Sequence, residues 1–273
     1  MAATTGIEWT DATWNPVTGC TKISPGCKNC YAERMTLRLK AMGQPRYANG
    51  FQVTTHADAL TIPLHWRKPR RIFVNSMSDL FHQDVPDEFI DRVFAVMALC
   101  RQHTFQVLTK RAERMTEYLT SQTATGYGRH LPILGYHDRL ASVRFPLSNV
   151  LLGVSVEDQQ RADERIPKLL ECPAALHFLS AEPLLGELDV SPWLPVDTIG
   201  GVEMEPLIRW VIVGAESGPR RRPTETAWIR SLRDQCEAAG TPFLLKQMDV
   251  GGKIVKMPLL DGKQWPEVPE VMR

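Results

Sequence analysis

The sequence predicts an α/β protein whose parallel strands form a full or partial (β/α) barrel, and three observations carry that expectation. Short β-branched or aromatic runs recur along the chain, helical stretches separate them, and no Gly-rich dinucleotide fingerprint follows an early strand. Strands alternating with helices imply parallel pairing through right-handed crossovers, which leaves an open doubly wound sheet or a barrel. The missing fingerprint favours the barrel, TIM-like and built of about six or seven strands.

The runs are IFVNS at 72–76, FQVLT at 105–109, VLLGVSV at 150–156, LHFLS at 176–180, WVIVGAE at 210–216 and PFLLKQ at 242–247. Each reads as a strand buried on both faces. Between the first two, PDEFIDRVFAVMALCRQH puts Pro86 in a first helical turn with acids beside it. Apolar residues then repeat at Phe89, Val93, Phe94, Met97 and Cys100, the pattern of an amphipathic helix. TETAWIRSLRDQCEAAG repeats Trp228, Ile229, Leu232 and Cys236 and closes on Gly240. A third helix is expected from about Tyr31 to Met42, ending at Gly43. The irregular stretches 120–149 and 186–208 read as surface insertions in a single domain spanning 1–273.

A chain of 273 residues can bury the core of such a domain. Its formal charge of +1 gives no global basic field, so nucleic-acid binding would have to be local. No apolar run approaches the roughly 18 residues of a membrane span, and the N-terminus lacks a charged start followed by an apolar core. A cytoplasmic protein without membrane association is expected.

Six cysteines occur, a poor layout for a disulfide framework because Cys20, Cys27 and Cys30 lie within eleven residues while Cys100, Cys172 and Cys236 sit in apolar segments. The second set reads as core. In GCTKISPGCKNCYAER, Gly19, Pro25 and Gly26 let the backbone wrap so that three thiolates can face one centre, and thiolates suit zinc or iron–sulfur clusters. A structural zinc site wants four protein ligands, and no second CxxC or HxxxH pair exists, so His56, His65 or His82 would have to be recruited. Three free thiols in a polar loop is the plain alternative. A 4Fe–4S cluster on three cysteines would leave one iron open to an outside ligand.

The string GC followed by GCKNCYAER resembles the cluster loop of radical S-adenosylmethionine enzymes, especially the spore photoproduct lyase-like branch. Six residues separate Cys20 from Cys27, where the common radical-enzyme loop has about three. Over nearly its full length the chain is also similar to a phage-associated family of three-cysteine-motif proteins, through WTDATWNPVTGC, SMSDLFH, VLTKR, GVSVED, SAEPLLG, GAESG and LLKQ. The resemblance implies a radical-SAM-like barrel with Cys20, Cys27 and Cys30 holding a 4Fe–4S cluster and S-adenosylmethionine as second cofactor. It also implies hydrogen abstraction from a nucleobase or nucleic-acid substrate and a dedicated protein partner. The other expectation is an iron–sulfur or zinc protein that leaves the cofactor uncleaved and serves as a nucleic-acid- or partner-binding module.

In barrel enzymes the chemistry sits at the C-terminal ends of the strands. By strand position and resemblance, Ser76, Ser78, Asp79, Ser155, Glu157 and Ser180 are the candidate cofactor-binding residues. Asp79 and the two serines near it would take the ammonium. Lys110, Glu182, Glu216 and Lys246 are the candidate catalytic groups, and Arg220, Arg221, Arg222 and Gln247 the candidate substrate contacts, the arginines suiting phosphate or carboxylate. Each has a structural alternative: Asp79 as a turn cap, Ser155 and Glu157 as a helix start, Lys110 and Arg111 as exposed charges opening a helix, and GPRRRP as a solvated loop. Tyr31 is expected to pack the cysteine loop.

Overall fold

The structure, a computed structural model, describes residues 5–125, 145–195 and 207–272. Its centre is an eight-stranded sheet of β1 (Ala12–Trp14), β4 (Arg71–Val74), β5 (Thr104–Thr109), β6 (Val150–Ser155), β7 (Leu176–Ala181), β8 (Ile208–Gly214), β9 (Phe243–Val250) and β10 (Lys253–Lys256), in that spatial order. The first seven are parallel, and only β10 runs antiparallel, against β9. A separate two-stranded ribbon joins β2 (Val17–Thr18) to β3 (Thr54–Thr55).

All six strands expected from the sequence are present and parallel, with β1 as the seventh. The barrel does not close. β1 and β10 each pair on one side only, so the expectation narrows to the partial form, a curled, open half-barrel. An antiparallel last strand cannot continue the parallel round back to β1, which is the physical reason for the opening.

Alternation along the strands gives the sheet two apolar faces. Val211, Val213 and Leu245 join the large core under the helices, while Trp210, Ile212 and Leu244 point to the other side with Leu151 and Phe178. Trp9 and Met272, from near the two chain ends, fill that concave side. The interior below the strand ends is therefore packed, and any site must sit above it.

The crossover helices are α3 (Asp87–Leu99), α4 (Ala112–Thr125), α5 (Gln159–Leu170) and α6 (Thr226–Ala238); α1 (Tyr31–Ala41) and the single turn α2 (Ala57–Leu60) precede them. Pro86 caps α3 from outside, one residue earlier than its expected place in the first turn. α5 opens on Asp158, whose carboxylate accepts from Arg161 N at 2.9 Å. The expected insertion at 120–149 begins with the end of α4, and 126–144 lies outside the described residues. Of 186–208, the described part contains a 3₁₀ turn at Ser191–Trp193, and β8 starts at Ile208. Among the described residues no helix is long and apolar enough to cross a membrane.

Candidate functional site

The cysteine loop starts where β2 ends. Gly19 takes a φ of +83°, and a Cβ there would lie 2.1 Å from the Gln52 carbonyl oxygen, so the backbones of the two segments meet at that point. Gly19 N donates to Met77 O and Cys20 N to Phe51 O, each at 3.1 Å, fastening the loop beside the end of β4. Pro25–Cys27 forms a 3₁₀ turn, Ser24 Oγ sits 3.8 Å from Cys27 Sγ, and Cys30 caps α1. All three cysteines are unpaired and half-buried, and all three border one cavity of about 270 Å³.

Three strand-end side chains brace this loop from the sheet. After β5, Arg111 donates to Cys20 Sγ at 3.3 Å, to Asp79 Oδ2 at 3.1 Å and to Thr21 O at 3.0 Å. After β6, the fully buried Glu157 accepts from Gly26 N at 3.0 Å and pairs with Arg165 of α5 at 3.0 Å. After β8, Glu216 accepts from Asn29 Nδ2 at 2.8 Å and is clamped by Arg222. Gly26 is needed where it stands, since a Cβ would come within 2.9 Å of the Glu157 carboxyl carbon.

These contacts set the local charge states. Burial pushes the Cys20 thiol up to about 11, with Asp79 adding to the effect and Arg111 opposing it. Burial also acts to raise Glu157 and Glu216, but the bonds from Ser24 and Gly26 with the charges of Arg165 and Lys110 outweigh it at the first. The Arg222 and Asn29 bonds outweigh it at the second. Both carboxyls therefore lie below the usual carboxylate range and are ionised.

Around the cavity the strand ends supply Ser76, Ser78, Asp79, Lys110, Ser155, Glu182, Lys246 and Gln247, nearly the set expected from strand position. Lys110 Nζ donates to Ser155 Oγ, and Ser155 Oγ donates to Glu182 O at 2.9 Å. Lys246 Nζ pairs with Glu182 Oε1 at 2.9 Å. Among the described residues Lys110 has no carboxylate within ion-pair distance, and Asn75 Nδ2, on a residue bordering the cavity, has no partner. Phe51, Phe73 and Leu108 give the same cavity an apolar wall.

Several expected roles shift. Asp79 spends its oxygens on Phe81 N, Thr109 Oγ1, Lys110 N and Arg111, so it ties β4 to β5 and has no accepting capacity left for an ammonium. Ser78 Oγ is likewise engaged, with Val17 O at 2.8 Å. Glu157 and Ser180 lie behind the cavity, Ser180 donating to Glu182 Oε2 at 3.2 Å. Glu216, expected to act in catalysis, braces the loop. Of the three arginines, Arg221 pairs with Asp249 at 2.8 Å and Arg222 with Glu216, which leaves Arg220 exposed. Arg111 is a partly buried contact to Cys20 instead of a helix-opening surface charge, and Tyr31 is 49% exposed instead of packed.

Sequence reasoning missed Asn29, Phe51 and Arg165. A signal existed for the last, because Arg165 interrupts the apolar stripe Ala162, Ile166, Leu169 of α5 and a charge on a buried face needs a partner. Cys100, Cys172 and Cys236 are buried as expected. Among the described residues no three His, Cys, Asp or Glu side chains gather as ligands of a single ion.

A family model described as "Protein of unknown function (DUF5131)" matches residues 4–269. The comparisons with curated proteins and with solved structures return no match.

Proposed function

The chain belongs to the DUF5131 family, and we propose that it is an iron–sulfur enzyme of the radical S-adenosylmethionine type acting on a nucleobase or nucleic acid. The observation that carries this reading is the meeting of three unpaired cysteines from one loop with a ring of polar strand ends at a single cavity. The donor types suit such a cluster, although the three thiols, as they stand, are not gathered about one point: they border a cavity that also holds the Lys110 ammonium, with no carboxylate at ion-pair distance among the described residues, and an apolar wall. When bound, a 4Fe–4S cluster with an open iron supplies the one-electron chemistry that cleaves S-adenosylmethionine and removes hydrogen from a substrate.

The protein's own residues divide the remaining work. Cys20, Cys27 and Cys30 would hold the cluster, and Arg111 donates to Cys20 Sγ and so positions it. Lys110 would offer its ammonium to a cofactor carboxylate, Ser76 and Ser155, whose hydroxyl protons go to Asn15 Oδ1 and Glu182 O, would offer oxygen lone pairs to a ribose hydroxyl, and Phe51, Phe73 and Leu108 would offer a surface for a ring face. Glu182 and Lys246, paired inside the cavity, form a carboxylate–ammonium couple able to hold or pass a proton next to a bound substrate.

One observation favours the second reading, an iron–sulfur or zinc protein that leaves S-adenosylmethionine intact and binds nucleic acid or a dedicated protein partner. Asp79, expected to take the cofactor's ammonium, is saturated by its own neighbours. The two readings separate by anaerobic purification, quantification of iron and sulfide, and addition of reductant with S-adenosylmethionine. Formation of 5′-deoxyadenosine is the expected result. Iron and sulfide without that product would sink the catalytic reading and leave the binding one, and zinc without iron would sink both iron readings.

A further inference from the structure

The three arginines after β8 part company. Arg221 and Arg222 are consumed by Asp249 and Glu216, while Arg220 is exposed, with no carboxylate within ion-pair distance among the described residues. Facing it, Lys28 in the cysteine loop and Arg34 on α1 are in the same condition. These three side chains line one hollow of about 330 Å³, whose one lining acid, Glu33, is taken by Lys22 at 2.8 Å. Three cations thus share a single space without a carboxylate partner, in a chain whose net charge is +1.

Scattered surface cations are ordinarily just solvated, but the two walls of this hollow are tied to each other. Asn29 Nδ2 donates to Glu216 Oε2 and to Arg220 O, each at 2.8 Å, so one amide pins the backbone of Arg220 to the cysteine loop. Arg34 reaches across to Ser217 O at 3.5 Å. Gly218 takes a φ of +108°, and a Cβ there would lie 1.9 Å from Arg34 Nη1, so the approach of that backbone to the guanidinium requires glycine. Two guanidinium forks and an ammonium around one space suit an anion with several oxygens better than a lone carboxylate.

Asn29 and Cys30 border the hollow and the main cavity alike. The cationic space therefore adjoins one walled by Phe51, Phe73 and Leu108. A ligand that satisfies both carries a planar ring and a phosphate, which is the make-up of a nucleotide unit. Bases against aromatic and apolar side chains, with phosphates on Lys and Arg, are how proteins hold unpaired nucleotides. An acidic protein segment would answer the charge and leave the ring surface unused.

We infer that the hollow between Lys28, Arg34 and Arg220 is a phosphate subsite, holding the phosphate of a nucleotide unit whose base enters the cavity. The subsite rests on the nucleobase or nucleic-acid part of the proposed function and requires nothing bound at the cysteines. Its phosphate belongs to a free nucleotide or to a nucleic-acid backbone, and the chemistry recognised is the same.

The test titrates the full chain, as purified, with the common ribonucleosides, their 5′-monophosphates, a short single-stranded DNA of mixed sequence and polyglutamate. At least one monophosphate should bind about tenfold or more tightly than its nucleoside. Arg220→Gln and Arg34→Gln should each erase that advantage and leave nucleoside affinity unchanged, while Lys253→Gln on β10 should alter neither. Tighter binding of the DNA than of any monophosphate, with a salt dependence that loses about one unit of slope in Arg220→Gln, assigns the phosphate to a strand, and the reverse order assigns it to a free nucleotide. Equal affinity for nucleoside and monophosphate, or an advantage that survives in both variants, overturns the subsite and leaves the nucleobase reading standing. Failure of every nucleoside, monophosphate and the DNA to bind overturns both. Polyglutamate held more tightly than any of them, and released in the same variants, overturns the subsite in favour of an acidic protein partner.

Discussion

A single nitrogen of Arg111 lies 3.3 Å from the sulfur of Cys20 and 3.1 Å from a carboxylate oxygen of Asp79. One guanidinium thereby ties a loop cysteine to the seam between β4 and β5. It also holds the start of the unusually long spacer, through Thr21 O and Thr21 Oγ1. Replacing Arg111 with Gln leaves Asp79 largely buried without its cation, and breaking such a pair costs about 3 kcal/mol. Denaturant unfolding should show that loss, and, under the proposed iron–sulfur reading, iron bound per chain should fall. Arg111→Lys keeps the charge without the fork, so it should recover part of the stability and less of the iron.

Gly26→Ala puts a methyl group 2.9 Å from the Glu157 carboxyl carbon. Glu157 cannot retreat, because Arg165 and Gly26 both hold it in a fully buried place. The loop must yield instead, so Cys27 in the variant should be alkylated faster by iodoacetamide than in wild type. Stability should fall by about 1–3 kcal/mol. An unchanged alkylation rate would contradict the bracing role.

Lys110→Met removes the cavity ammonium that has no carboxylate at ion-pair distance among the described residues, while keeping the length of its stem. Binding of S-adenosylhomocysteine, measured by calorimetry, should weaken by about 10- to 100-fold, the value of a hydrogen bond to a charged group. The folded stability should change little, because the lost partner, Ser155 Oγ, still donates to Glu182 O.

Asp261 anchors the C-terminal segment to α6 through Arg230 and Arg233. Their hydrogen bonds lower its pKa from an ordinary 3.8 to about 2. A depressed folded-state pKa means the contact stabilises above the unfolded value and is lost as pH falls through about 2. Wild type should therefore lose stability between roughly pH 4 and pH 2 with a steeper slope than Asp261→Asn, read from unfolding midpoints across that range.

The sheet was legible because its six long strands are continuous β-branched or aromatic runs. β1 was not, because ATW supplies three residues and pairs only with β4, with nothing in its own composition to mark it. α5 was hidden by Pro167 inside it and by the buried Arg165, both of which break an apolar pattern. At the site, Ser76, Lys110, Ser155, Glu182, Lys246 and Gln247, read from strand position, border one cavity. Strand position could not tell which strand-end charges face the cavity and which are consumed by neighbours. That depends on partners such as Asn29 and Arg165, which stand 187 and 8 positions from Glu216 and Glu157 respectively.

None of the three loop cysteines belongs to either apolar core, while the sheet beneath them is packed by residues from both chain ends and every crossover helix. Small zinc modules, by contrast, fold only as metal binds, since the ligands are the core. In this chain the apolar core is complete without the three cysteines. If the proposed iron–sulfur centre is present, the polypeptide can complete its fold before it is loaded, and removal of iron by a chelator should leave its circular dichroism and cooperative melting in place.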